Sequence, residues 1–128
     1  MKDYKHYFII PAKPEEVYAA LTIPTAIKLW TGEEAVMSAE AGSEFSLWEG
    51  AIQGRNLEFE EGRKLVQQWY FGDASAESIV TIILHPHKNG TSVELRHTNI
   101  PDDDFDDIVE GWNGAYFGNL EEYFGEEE

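Results

Sequence analysis

The chain has 128 residues, with 25 Asp or Glu against 9 Lys or Arg, a formal net charge of −16 and no cysteine. That length fits one domain spanning 1–128, and 42% hydrophobic with 13% aromatic residues supplies a sizeable core, which excludes wholesale disorder. The missing cysteines exclude a disulfide scaffold, a thiolate nucleophile and a Cys-ligated zinc, while the negative charge makes nucleic acid and anionic membrane poor partners.

The opening Met1-Lys2-Asp3-Tyr4-Lys5-His6 is not followed by the apolar stretch and small-residue cleavage site of a secretory signal, so the expected location is cytoplasmic. Tyr4 to Ile10 is aromatic and β-branched and stops at Pro11, which predicts a first strand. Pro14-Glu15-Glu16 suits a helix start, because proline fits the first helical position and glutamates favour the positive dipole end. Val17, Tyr18 and Leu21 continue that helix to Pro24, and a second short helix runs from Thr25 to Trp30, closed by Gly32.

The period then changes to two. Ala35 to Ala39, Glu44 to Glu49, Ala51 to Phe59, Lys64 to Phe71, Glu77 to His85 and Thr91 to Asn99 each read as a strand. The joints are Ala41-Gly42, Gly50, Glu61-Gly62, Gly72-Asp73 and Lys88-Asn89-Gly90; Asn89-Gly90 is the strongest, since both residues tolerate the positive φ of a tight hairpin. Val93, Leu95 and His97 share one face of the last strand, and Leu65, Gln67, Trp69 and Phe71 one face of theirs. Such sheets are usually antiparallel and covered on one side.

The cover is a long amphipathic helix from about Asp104 to Phe124. At about 100° per residue, Phe105, Ile108, Val109, Trp112, Tyr116, Leu120 and Tyr123 form its buried stripe. Gly111, Gly114 and Gly118 fall on the acidic side, where they either loosen the helix or let another backbone come close. Eleven acids and no Lys or Arg lie between Pro101 and Glu128, which reads as a solvated helix face or as a docking patch for a basic partner. The fold class expected is therefore α+β, a curved antiparallel sheet gripping one long C-terminal helix, with two short helices after the first strand.

No catalytic device stands out. His85 and His87 flank Pro86 beside a turn and lack a third metal ligand, and the Asp102–Asp107 cluster lacks calcium-loop spacing, so no metal or cofactor is expected. Nucleotide-binding and nucleophile-elbow motifs are absent as well. The distinctive feature is the aromatic content at core-facing positions. Phe45, Leu47, Trp69, Ile82, Leu95, Trp112 and Tyr116 would border the space between sheet and helix, with Gln67, His97 and the Tyr116 hydroxyl as its few polar groups. An apolar lining with sparse polar contacts suits a hydrophobic small molecule.

Tyr7 to Thr22, containing Pro14, Glu16, Val17, Tyr18, Ala20 and Leu21, resembles the START-like or Bet v 1-like superfamily. Gly50 to Phe59, Lys64 to Trp69, Ser78 to Ile82, Gly90 to Pro101 and the stretch Glu110-Gly111-Trp112-Asn113-Gly114-Ala115-Tyr116-Phe117 resemble the domain of activator of heat-shock protein 90 ATPase homologues. The resemblance covers nearly the whole chain, but Tyr70 stands where that family frequently has arginine. It implies the helix-grip fold and three roles. The first is non-enzymatic binding of a lipid-, flavonoid- or polyketide-like molecule. The second is co-chaperone docking on the chaperone ATPase, with weak or no stimulation by this domain alone, because in the eukaryotic activators it is the second of two. The third is a cyclase-like reaction using His97 or Tyr116.

Overall fold

The computed structural model describes residues 1–72 and 77–125. In chain order these form β1 (Lys2–Ile10), α1 (Pro14–Thr22), α2 (Pro24–Thr31), β2 (Glu44–Leu47), β3 (Ile52–Glu60), β4 (Lys64–Trp69), β5 (Ser78–His87), β6 (Gly90–Ile100), α3 (Phe105–Gly111) and α4 (Phe117–Gly125). The six strands make one antiparallel sheet in the order β1-β6-β5-β4-β3-β2. One face of it carries Phe45, Leu47, Leu65, Trp69, Val80, Ile82, Val93 and Leu95, all buried, and the C-terminal helical segment packs over that face. The predicted α+β architecture is therefore the observed one.

Local chemistry accounts for the elements. Pro14 opens α1, and the Lys13 N–H donates to Glu16 Oε1 at 3.2 Å, tying off one of the helix's unpaired N-terminal groups. Pro24 opens α2, whose last turn closes on Gly32 at φ 81°, where a side chain would be strained. The Trp30 indole N–H donates to Ala20 O at 2.8 Å and fastens α2 to α1.

Two expectations about the strands need correction. Ala35 to Ala39 is not a strand but a single bridge between Val36 and Ser46. The carbonyl that would continue the ladder is drawn elsewhere, since the buried Asn56 side chain donates to Ser38 O at 3.2 Å and to Ser43 Oγ at 3.1 Å. In the β5–β6 hairpin the turn residues are Lys88 and Asn89, and Gly90 pairs with His87. Gly90 alone of the Asn89-Gly90 pair has a positive φ, 132°, and a Cβ there would meet Ile10 O at 2.2 Å. Glycine is required by the crossing of β1 as much as by the turn. Asp73 and Glu126-Glu127-Glu128 lie outside the described residues.

The C-terminal segment is not one continuous α-helix. A 3-10 turn (Asp102–Asp104) leads into α3, and a π turn (Trp112–Tyr116) separates α3 from α4. The Phe117 N–H bonds to Trp112 O, five residues back. That wider turn rotates α4 about its axis, so Phe117 and Phe124 join Trp112, Tyr116 and Leu120 in the core. Tyr123, Phe105, Ile108 and Val109, placed on the buried stripe by uniform α periodicity, are only half-buried. Gly118 makes room for the turn: a Cβ would lie 2.5 Å from Asn113 O, whereas one at Gly114 meets nothing within 4 Å. Gly118→Ala should therefore destabilise the protein, while Gly114→Ala should stabilise it by up to about 1 kcal/mol. Urea unfolding of the two variants checks this; stabilisation by Gly118→Ala would contradict it.

Candidate functional site

Strand alternation places Gln67 and Trp69 of β4, and His97 of β6, on the inner face, where the π turn brings Trp112 down onto them. The Trp112 and Trp69 rings stack with centroids 4.7 Å apart and planes at 25°. Each indole N–H is satisfied behind the stack. Trp112 donates to His97 Nδ1 at 3.0 Å, and Trp69 donates to Gln67 Oε1 at 3.0 Å. Gln67 Nε2 donates in turn to Asn56 Oδ1 at 2.9 Å.

These bonds assign the histidine. Because Nδ1 of His97 accepts from an indole, the ring proton sits on Nε2 and donates to Ser78 Oγ, 2.8 Å away, while the Ser78 hydroxyl donates to Thr98 O at 3.0 Å. His97 is fully buried, and burial pulls its pKa down to about 4, opposed only by the charge of Asp3. A serine and a histidine at hydrogen-bond distance otherwise suggest a nucleophile and base. Here the histidine is the donor and its remaining nitrogen is taken, so it has no free lone pair to draw the Ser78 proton. The arrangement is a buried clamp between helix and sheet.

In front of the stacked indoles lies a cleft of about 160 Å³, lined by Trp48, Ala51, Ile52, Trp69, Asp107, Ile108, Gly111, Trp112, Ala115 and Tyr116. Its outer wall comes from the β2–β3 turn, where Trp48, Glu49 and Gly50 have φ of 49°, 53° and 92°. A left-handed tryptophan is an outlier whose cost must be met by surrounding contacts. Trp48 finds them against Trp30, with ring centroids 6.0 Å apart, and Tyr116, at 6.1 Å. Tyr116 is 3% exposed, and burial drives its hydroxyl well above the ordinary tyrosine range.

Of the nine residues singled out from sequence, Trp69, Trp112 and Tyr116 meet at this cleft. Phe45, Leu47, Ile82 and Leu95 are packed in the core, and Gln67 and His97 lie behind the indoles with their hydrogen bonds made internally. Trp48, Ile52, Asp107 and Ile108 line the cleft without having been singled out. The alternation of β3 places Ile52 with Gly54 and Asn56 on the inner face, and the α3 stripe includes Ile108, but no sequence signal marks the backbone of Trp48. A larger and more open hollow of about 470 Å³, with Glu15, Tyr18, Phe59 and Glu61 on its walls, lies beside α1. Among the described residues no group of three His, Asp or Glu side chains is placed to hold a metal, and no helix is long and apolar enough to cross a membrane.

The clamp sets a pH dependence. The unfolded chain takes a proton on His97 near 6.5, whereas the native state keeps the ring neutral to about 4. The stability contributed by this group is thus fully present above 6.5 and lost as pH falls towards 4, by about 3 kcal/mol across that window. His97→Asn retains an acceptor for Trp112 but does not titrate. Urea unfolding of both proteins between pH 7 and 4 should show wild type losing stability relative to the variant; parallel pH profiles would contradict the assignment.

The model of the family described as Activator of Hsp90 ATPase homolog 1-like protein matches residues 11–125. An activator of 90 kDa heat shock protein ATPase homolog from Dictyostelium discoideum is 32% identical over 114 residues, covering 87% of this chain and 30% of that protein. The human homolog 1 is 26% identical over 114 residues, covering 88% of this chain and 34% of its own. The chain thus spans about a third of the length of these curated relatives. Among solved structures, an HSP90 activator from Plasmodium falciparum is 25% identical with a TM-score of 0.86 and 96% coverage of both chains. The Aha1 dimer from Colwellia psychrerythraea, 19% identical with a TM-score of 0.81 over 97% of this chain and 96% of that one, shares the fold. By sequence across almost its whole length and by its helix-grip fold, the chain belongs to the Activator of Hsp90 ATPase homolog 1-like family.

Proposed function

We propose that the protein binds a small, flat hydrophobic molecule in the cleft between the π turn and the β2–β3 turn. The observation that carries this reading is the convergence of two costly backbone departures, the π turn and the left-handed Trp48, on one apolar space. π turns and left-handed non-glycine residues are concentrated at functional sites, and this space is walled by three indoles and two isoleucines. Its volume of about 160 Å³ lies below the roughly 300–1,000 Å³ of drug-sized sites. The ligand is therefore a fused two-ring compound or the aromatic end of a larger one, and a fatty-acid chain is too long. His97 and Tyr116 act in packing and orientation, with no catalytic step assigned to them.

Titration with 1-naphthol, flavone and palmitate, followed by melting temperature and amide NMR shifts, tests this. Naphthol should bind with a Kd of about 10–1,000 µM and shift the amides of the π turn, and palmitate should not bind. Ile52→Trp, which fills the cleft, should abolish the effect. Absence of naphthol binding, or equal binding to Ile52→Trp, would remove this reading.

Family membership favours a second reading, in which the domain docks on a chaperone ATPase of the 90 kDa heat-shock class, as the names of its relatives indicate. The acids of the Asp102–Glu122 region give such a surface a steering charge. Association with the purified chaperone should weaken with salt and give little stimulation of its ATPase; salt-independent binding would exclude the acidic surface as the docking face.

A further inference from the structure

The charged groups around the cleft are of one sign. A second hollow of about 200 Å³ shares Ala51, Ile52, Trp69 and Ile108 with it and extends it towards Asp104. Among the described residues, Asp104 and Asp107 are the charged ones on the walls of the pair, and no described Lys, Arg or His lines either hollow. Behind the wall, the indole N–H groups of Trp69 and Trp112 are already spent on Gln67 and His97. These two rings therefore have no donor left for an anion and offer a ligand their π systems, which attract positive charge. Tyr116, 3% exposed on the cleft wall, makes no hydrogen bond to another described residue.

We propose that the cleft selects organic cations, with a flat aromatic body held among Trp48, Trp69 and Trp112 and an ammonium or amidinium group facing Asp104 and Asp107. The inference rests on the ligand-binding reading above and narrows it to one chemical class. Tryptophan is the strongest cation–π partner among the side chains, and the effect grows as the cation is desolvated. The two carboxylates supply the long-range part, in a molecule whose net charge of −16 already raises the local concentration of cations. The same field repels carboxylate ligands such as fatty acids. The Tyr116 hydroxyl is left to accept from the ligand's N–H or to donate to an oxygen on its body.

Three ligands with one ring system and different charge separate the possibilities: (naphthalen-1-ylmethyl)trimethylammonium, 1-naphthalenemethanol and 1-naphthaleneacetate, titrated calorimetrically at about 50 mM salt. The cation should bind about tenfold more tightly than the alcohol, and the acetate about tenfold more weakly than the alcohol. Asp104→Asn with Asp107→Asn should remove most of the cation's advantage and leave the alcohol unchanged. Glu121→Gln with Glu122→Gln, the same charge change placed on α4, should leave the alcohol unchanged and shift the two charged ligands by less than about twofold. Equal binding of cation and alcohol overturns the proposal while sparing the ligand-binding reading. Equal losses from the two double variants overturn it too, because the preference would then come from overall charge. Failure of all three ligands to bind overturns both.

Discussion

The hydrogen bond from the Trp112 indole to Nδ1 of His97 joins the C-terminal helical segment to the middle of the sheet, and much of the site's geometry depends on it. An indole N–H buried at 1% exposure needs an acceptor, and a fully buried imidazole can supply one only in its neutral form. Accepting at Nδ1 places the ring proton on Nε2, which donates to Ser78 Oγ, while the Ser78 hydroxyl donates its own hydrogen to Thr98 O. Every polar atom in the chain from helix to strand is thereby satisfied. The cost of burying a titratable group appears instead as a pKa pulled down to about 4.

Fixing Trp112 in this way fixes the cleft in front of it. Its ring lies against Trp69, whose own N–H is held by Gln67 and, through Gln67, by Asn56. The inner wall of the cleft is therefore rigid and apolar, while its outer wall is a turn that keeps a tryptophan in a left-handed conformation. The π turn serves both sides. It lowers Trp112 onto His97 and rotates Phe117 into the core, where it stacks on Phe8 with centroids 4.6 Å apart. Charge is distributed to match, with acids on the helical rim and the inner face neutral.

The strands, the two short helices and the existence of a covering helix were legible from periodicity, because each buries one face and the alternation of apolar residues records which. Trp112, Tyr116 and Leu120 were placed correctly for the same reason. Phe117 and Phe124 were not, since a single extra residue in one turn shifts every later position and leaves no periodic trace. Glycine at 118 is its one visible sign, and the reason for it, the closeness of Asn113 O, exists only in three dimensions. The inner-face position of His97 was readable from Val93 and Leu95. Its partner Ser78, nineteen residues away, was not, because a hydrogen bond between neighbouring strands depends on register. Ala35 to Ala39 misled for a related reason: its alternation is strand-like, but the Asn56 side chain takes the carbonyl a ladder would need.

The most direct test of the clamp is ¹⁵N NMR of the His97 imidazole, using long-range couplings from the ring carbons across pH 7.5 to 4. The account predicts a neutral ring with the proton on Nε2, Nδ1 at the shift of a hydrogen-bonded acceptor, and no cation until the pH approaches about 4. A proton on Nδ1, or a ring already charged near its ordinary value of 6.5, would contradict it.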